Sequence, residues 1–195
     1  MSKIPKTSII IPNFNNAKWL SKCINSCLDQ RGNFKKEIII VDDHSTDESW
    51  EVLQSYQRDY PNSLKVFLNP EKGGNQARNY GFSKSTGEYI QWLDSDDSIL
   101  PGKFQEQISF LETHPEVDIV YSDWRMDFYE NGVKTNEETI KSQPYQFYLK
   151  ALIEDKWQPN LNYLLKRSIA EILEDINAWN PATKVAQDRE YFTLA

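Results

Sequence analysis

The run Tyr89-Ile90-Gln91-Trp92-Leu93-Asp94-Ser95-Asp96-Asp97 decides the fold and points to the chemistry. Its first five residues are apolar or aromatic apart from Gln91, the composition of a strand covered on both faces. Three carboxylates then follow within four residues. Two unit charges ~4 Å apart repel by about 4 kcal/mol at an effective dielectric near 20. Such crowding is relieved by a divalent cation, and oxygen ligands of this kind suit Mg²⁺ or Mn²⁺. These ions keep one or two protein carboxylates and take phosphate oxygens besides. The plainer alternative is a solvated turn that caps the helix starting near Pro101.

Upstream, the chain repeats a strand-then-helix unit. Ser8-Ile9-Ile10-Ile11 is a buried strand stopped by Pro12-Asn13, and Leu20, Cys23, Ile24, Cys27 and Leu28 recur at helical spacing. Ile38-Ile39-Ile40-Val41 is the next strand, followed by helix-start chemistry at Ser45-Thr46-Asp47-Glu48 and an inward stripe of Trp50, Leu53 and Tyr56. Leu64 to Leu68 is a third strand, leading through Gly73-Gly74 into a helix around Gln76 to Lys84. The strand from Glu88 to Leu93 precedes a helix carrying Phe104, Ile108 and Leu111. Four strands alternating with helices predict an α/β fold, a Rossmann-like, mostly parallel central sheet with helices on both faces. Ligands of such sheets bind beyond the carboxyl ends of the strands.

The pattern changes after His114-Pro115. Asp118 to Tyr121 reads as a strand, and Met126 to Tyr129 with Val133 to Thr135 flank Asn131-Gly132 as a hairpin. A helix is expected from Pro144-Tyr145, with Phe147, Ala151 and Leu152 on one side. Asn162 to Leu165 reads as a strand, with helices from Ser168 and over Ala186 to Leu194. No stop signal follows that last helix, so the sequence reads as a shortened chain. Residues 1–97 form the expected donor side and 98–195 the expected acceptor side of one domain.

Composition narrows the function. The 195 residues carry a net charge of −7, which argues against a nucleic-acid partner bound by phosphate neutralisation. Through Asp97 there are 12 basic and 13 acidic residues; from Ser98 onward there are 10 and 16. An anion therefore finds the first half more hospitable. No apolar run reaches the ~20 residues of a membrane helix, so the expected location is cytoplasmic, with at most peripheral membrane association. Cys23 and Cys27 lack further ligands for zinc and read as small buried side chains. His44 and His114 have no partner at ligand spacing and read as surface residues.

The strand ends bring together Pro12-Asn13-Phe14-Asn15-Asn16, Asp42-Asp43, Gly73-Gly74 with Arg78, and the Asp94 cluster. A cation that wants phosphate oxygens implies a nucleotide or sugar phosphate. Phe14 is placed to stack on a base, and Asp43 to accept from a base imide N–H. The glycines let backbone approach the ligand, and Arg78 suits a bidentate pair with a pyrophosphate. Core packing for Phe14 and a surface position for Arg78 are the plainer readings. Gly-x-x-x-x-Gly-Lys and Gly-x-Gly-x-x-Gly are both absent.

Four segments together resemble the family 2 glycosyltransferases of GT-A fold. They are Thr7 to Asn15, Val41 to Asp47, Gly74 to Gly81, and Thr86 to Asp97, in the family's order and spacing over about the first 125 residues. The resemblance implies that Pro12, Phe14, Asp43 and Arg78 help hold the nucleotide, with Asn15, Gly74, Asp94 and Ser95 in the same donor-binding set. It assigns Asp94 and Asp96 to the D-x-D motif as metal ligands for Mn²⁺ or Mg²⁺, Asp96 being the more direct. The family also carries a late acidic pair, usually Glu-Asp, and Gln187-Asp188 matches it with a departure at the first position. Asp188 is then the catalytic general base, against the plainer reading of a helix-start carboxylate. Trp157-Gln158-Pro159-Asn160 falls on the family's acceptor side.

The implied reaction is inverting transfer from a nucleoside-diphosphate sugar, by resemblance a UDP-sugar, to a carbohydrate, lipid-linked or other hydroxyl acceptor. Three alternatives stand beside it: a binding-competent fragment with little catalysis, a metal-dependent nucleotidyltransferase, and a dehalogenase-type phosphatase. The last places its Asp-x-Asp on the opening strand, whereas here three strand–helix units precede it.

Overall fold

Residues 4–142, 144, 159–183 and 187–194 are described by the computed structural model. The aliphatic runs become β1 (Lys6–Asn13), β2 (Lys35–Asp42), β3 (Leu64–Leu68) and β4 (Tyr89–Trp92). Between them lie α1 (Ala17–Leu28), α2 (Ser49–Asp59) and α3 (Gly74–Ser83), and α4 (Lys103–Thr113) follows. Then come β5 (Ile119–Val120), the ribbon β6 (Trp124–Glu130) and β7 (Val133–Ile140), β8 (Leu164–Lys166), α5 (Arg167–Asp175) and α6 (Gln187–Leu194).

The main sheet has the order β3-β2-β1-β4-β8-β5, with β8 antiparallel to both neighbours and the first four strands parallel. This is the α/β arrangement, a mostly parallel sheet, that the alternation predicts. Register sets the working rim. Asn13 stands opposite Asp42, and Asp42 opposite Leu68, so the loops after β1, β2 and β3 leave the sheet side by side.

Alternation along β1 splits the core into two layers. Ile9 and Ile11 face α1, α2 and α4 through Leu20, Ile24, Leu53 and Phe104. Ile10 faces the opposite layer, where Phe82, Trp92, Tyr163, Trp179, Tyr191 and Phe192 pack. Helices therefore cover both faces. At Gly81 an added Cβ would lie 2.6 Å from Ile10 Cγ2, so α3 seats against the sheet only because that position lacks a side chain.

Some expectations shift. Trp50 is exposed; Ser49 and Leu53 are buried instead, with Val52 and Tyr56 packed on the core. That stripe lies on one side of the helix, and Trp50 points away from it. The strand expected at Asn162 to Leu165 is a 3-10 turn over Asn160–Asn162 and then β8. The hairpin at Asn131-Gly132 forms as predicted. Cys23 and Cys27 are buried free thiols. The helix expected from Pro144, and Trp157 with Gln158, lie outside the described residues. Among the described residues, no helix is long and apolar enough to cross a membrane.

Candidate functional site

The loops at the sheet's rim are tied to one another by short polar side chains. Asn13 Nδ2 and Ser45 Oγ both donate to Asp42 Oδ1, at 2.9 and 2.6 Å. Asn15 takes a left-handed φ of 51°. From there its N–H donates to Ser45 Oγ at 2.9 Å, and its Oδ1 accepts from the Thr46 N–H at 2.6 Å. Asn16 Nδ2 donates to Ser95 Oγ at 2.9 Å, joining the β1 loop to the acidic turn after β4. Asn15 and buried Ser95 thus act as ties between loops in this structure.

The expected nucleotide side forms around Asp43. This buried carboxylate accepts from Asn69 Nδ2 at 2.7 Å and from the Gly73 N–H at 2.8 and 3.0 Å. Those bonds hold the start of α3 against the end of β2. Phe14 is 48% exposed at the same rim, which removes the core-packing reading. Lys72 Nζ stands 5.3 Å from the centre of its ring. Partly buried Pro12 lies within β1, opposite Val41, so the strand expected to stop at Pro12-Asn13 includes both residues.

Arg78 sits at the centre. It is 8% exposed, and α3 carries it to the rim of the sheet. Its Nη2 donates to Asp94 Oδ1 at 2.7 Å, and its Nη1 to Gln187 Oε1 at 3.0 Å and Asn75 Oδ1 at 3.3 Å. The guanidinium lies over the Trp179 ring, 4.6 Å from its centre. Gly74 lies beside the guanidinium, where a Cβ would stand 3.4 Å from Nη1. The fork expected to await a pyrophosphate is therefore engaged by protein acceptors here.

The acidic turn closes through the Asp97 N–H, which donates to the Asp94 carbonyl at 3.0 Å. Asp96 is exposed, while Asp94 and Asp97 are half-buried. Burial first, then the charges of Asp94 and Asp96, push the Asp97 carboxyl up to about 7. Asp188 adds to that rise and Lys22 opposes it, which puts the Asp188 charge within electrostatic reach of the turn. Asp188 itself is half-buried on α6, next to the Gln187 that Arg78 holds.

Among the described residues, no three acidic, histidine or cysteine side chains form a complete metal cage. The donor set nonetheless fits a hard divalent cation. Exposed Asp96 and half-buried Asp94, two residues apart, offer the hard oxygen donors such a cation takes, and it would draw its remaining ligands from phosphate.

The profile of the family described as glycosyl transferase family 2 matches residues 8–172. The chain belongs to that family. It is 35% identical over 139 residues to an uncharacterized glycosyltransferase of Nostoc sp., covering 71% of this chain and 42% of that protein. The same fold is seen in S. aureus TarS crystallised with UDP: TM-score 0.68, 21% identity, 94% of this chain and 53% of that one. A mannosyltransferase of Pyrobaculum calidifontis, in complex with GDP-Man and Mn²⁺, superposes with TM-score 0.62 and 20% identity. That match covers 90% of this chain and 48% of the other. This family 2 chain thus spans about half the length of these three proteins.

Two features of the site lay beyond the sequence reading. Trp179 and Gln187 both meet Arg78 across about a hundred residues, and nothing local announces either contact.

Proposed function

We propose that this chain is the donor-binding and base-bearing part of an inverting glycosyltransferase that moves a sugar from a nucleoside-diphosphate sugar to an acceptor hydroxyl. One observation carries the reading: Arg78 joins Asp94, in the acidic turn, to Gln187, the residue before Asp188. Metal-binding candidates and a candidate base thereby meet at one rim of the sheet, as charge neutralisation and proton removal in a single displacement require.

Asp94 and Asp96 would hold Mn²⁺ or Mg²⁺, which when bound neutralises charge on the departing nucleoside diphosphate. Phe14 offers a ring face to the base, and Asp43 an acceptor for its imide N–H. Pro12, Asn15, Gly74 and Ser95 shape the walls, and Arg78 fixes Asp94. Asp188 takes the proton from the acceptor hydroxyl during attack at the anomeric carbon. Uridine is the proposed base, supported by the family motifs and by a fold neighbour crystallised with UDP. A Mn²⁺ requirement draws support from the chemistry of the donor set and from the neighbour holding Mn²⁺. The acceptor is a carbohydrate, lipid-linked or other hydroxyl, approached from the 98–195 side, and the expected setting is the cytoplasm.

Calorimetry with UDP, with and without Mn²⁺, followed by an assay for UDP release from UDP-sugars, tests the proposal. Asp188→Asn is expected to keep UDP uptake and to lose transfer. Wild-type turnover in that variant would sink the base assignment, and absence of Mn²⁺-linked UDP uptake would sink the donor site.

A further inference from the structure

A cavity of about 760 Å³ opens at the β5 edge of the sheet, the end opposite β3. Both layers of the core supply its walls. Phe110 comes from α4, which packs on one face of the sheet through Ile108 and Leu111. Ile169 comes from α5, which packs on the other face through Ala170 and Leu173. Between them runs β5, whose Val120 and Ile119 turn to opposite layers. The two helices therefore flank the edge strand on both faces and leave a slot beside it.

Main-chain geometry shows what the slot can take. The Lys166 N–H donates to the Asp118 carbonyl at 2.9 Å, so Asp118, and Val120 two residues on, direct their main-chain groups to β8. Ile119, between them, turns its N–H and C=O outward, and among the described residues no strand pairs with that edge. An open edge is a template for another extended chain. The surface around it is apolar as well: Phe110 is exposed, and so is Ile172, one turn beyond Ile169 on α5.

Charge selects the partner. Exposed Glu106, Glu116 and Asp118 line the slot. Lys166 opposes them, but Asp118 holds its ammonium at 3.3 Å and the Pro115 carbonyl accepts from it at 2.6 Å. The His114 ring stacks on Phe110 with centres 4.1 Å apart. With Lys166 paired to Asp118, the Glu106 and Glu116 carboxylates are left unbalanced. A second copy of this chain brings a net charge of −7 to the same surface and is disfavoured.

We propose that the β5 edge docks an extended segment of another protein in which apolar residues alternate with lysine or arginine. The segment adds a strand to the sheet, its main chain bonding to Ile119. Its apolar side chains face Ile169 and Ile172. Its basic side chains turn to the α4 side, where their stems lie on Phe110 and their charges meet Glu106 and Glu116. The proposal is independent of the transferase reading.

The test titrates three synthetic peptides into the ¹⁵N-labelled chain and follows its backbone amides. One is Ac-Lys-Val-Lys-Ile-Lys-Val-Lys-NH₂; a second has Glu for every Lys; a third has Pro for the central Ile. Saturable shifts centred on Ile119, Phe110 and Ile169 are expected with the first peptide, together with slowed hydrogen exchange at Ile119. Proline should weaken binding by about tenfold, which is ~1.4 kcal/mol, and the acidic peptide should not bind. Glu106→Lys combined with Glu116→Lys should weaken the basic peptide by at least about tenfold and admit the acidic one. Should that variant fail to fold, the three wild-type titrations decide alone. Shifts scattered over the surface and indifferent to proline would reduce the effect to bulk charge attraction and overturn the proposal. Absence of any shift at β5 overturns it too. Sedimentation showing a dimer in which the Ile119 amide is protected without peptide overturns it in favour of a second copy.

Discussion

Arg78 Nη2 lies 2.7 Å from Asp94 Oδ1, so a cation from α3 sits inside the carboxylate cluster that follows β4. The same guanidinium reaches Gln187 at 3.0 Å, which fixes α3, the acidic turn and α6 relative to one another. A guanidinium does this with donors on two nitrogens fixed in one plane, a geometry that a rotating ammonium does not impose. The consequence for function is geometric. Arg78 joins the acidic turn to the residue that precedes Asp188.

Arg78→Lys should therefore separate charge from geometry. Lysine keeps the positive charge but lacks the rigid planar fork that reaches Asp94 from Nη2 and Gln187 from Nη1. UDP affinity in Mn²⁺ is expected to fall by about threefold to tenfold, and turnover to fall further because α6 loses its tie. Arg78→Ala should also cost about 1–2 kcal/mol of stability. That is less than a fully buried pair would lose, since the Asp94 side chain is 38% exposed. Equal losses of kcat and affinity in the lysine variant would refute the positioning role.

Asp96→Ala and Ser95→Ala should behave differently although the residues are neighbours. Asp96 is exposed, and its loss is expected to remove most of the Mn²⁺-dependent part of UDP affinity with little change in melting temperature. Buried Ser95 accepts the Asn16 amide at 2.9 Å, and its loss is expected to cost about 1 kcal/mol of stability with a smaller effect on affinity. Calorimetry and thermal melts of the two variants side by side check this.

The parallel half of the fold was legible because its signals are local. Runs such as Ile38 to Val41, and stripes such as Leu20, Cys23, Ile24 and Cys27, declare their period within a dozen residues. The rim followed from them, since strand ends in this topology share one edge. Trp50 was misread because spacing of three suits a stripe on either side of its helix, and only the packing of Ser49 and Leu53 chooses. The partners of Arg78 were invisible for a different reason. Trp179 and Gln187 reach it through tertiary packing that no local pattern encodes. Even the departure from Glu at position 187 acquires meaning only beside the guanidinium it accepts from.

Gly81→Ala probes how α3 is seated. The added methyl carbon would lie 2.6 Å from Ile10 Cγ2 and 3.3 Å from Val41 Cγ2, inside a packed interface. Overpacking of this kind typically costs about 1–3 kcal/mol, against a helix-propensity gain of about 1 kcal/mol. A net loss of stability in urea is expected, accompanied by weaker UDP binding because Arg78 rides on the same helix. Unchanged UDP affinity in a destabilised variant would show that the donor site tolerates a shift of α3.

Glu37 supplies the acid-side dependence of stability. It is 6% exposed, at the end of the sheet far from the rim. Lys6 Nζ donates to its Oε2 at 2.7 Å; Ser8 Oγ and the Thr86 N–H each donate to Oε1 at 2.6 Å. Burial opposes ionisation, yet these bonds more than offset it and hold the carboxyl below the usual glutamate range. Its folded value is thus lower than its unfolded one, and between the two the unfolded chain binds more protons. The stabilisation is present above the unfolded value, about 4.3, and is lost as pH falls through the folded value. Glu37→Gln should cost about 1.5–3 kcal/mol near neutrality, from lost charge-assisted hydrogen bonds. It should also flatten the fall in stability from about pH 6 to about pH 3, so that the two proteins converge in acid. Urea titrations across that range decide the matter: curves that stay parallel would mean the Glu37 carboxylate is not what these hydrogen bonds stabilise.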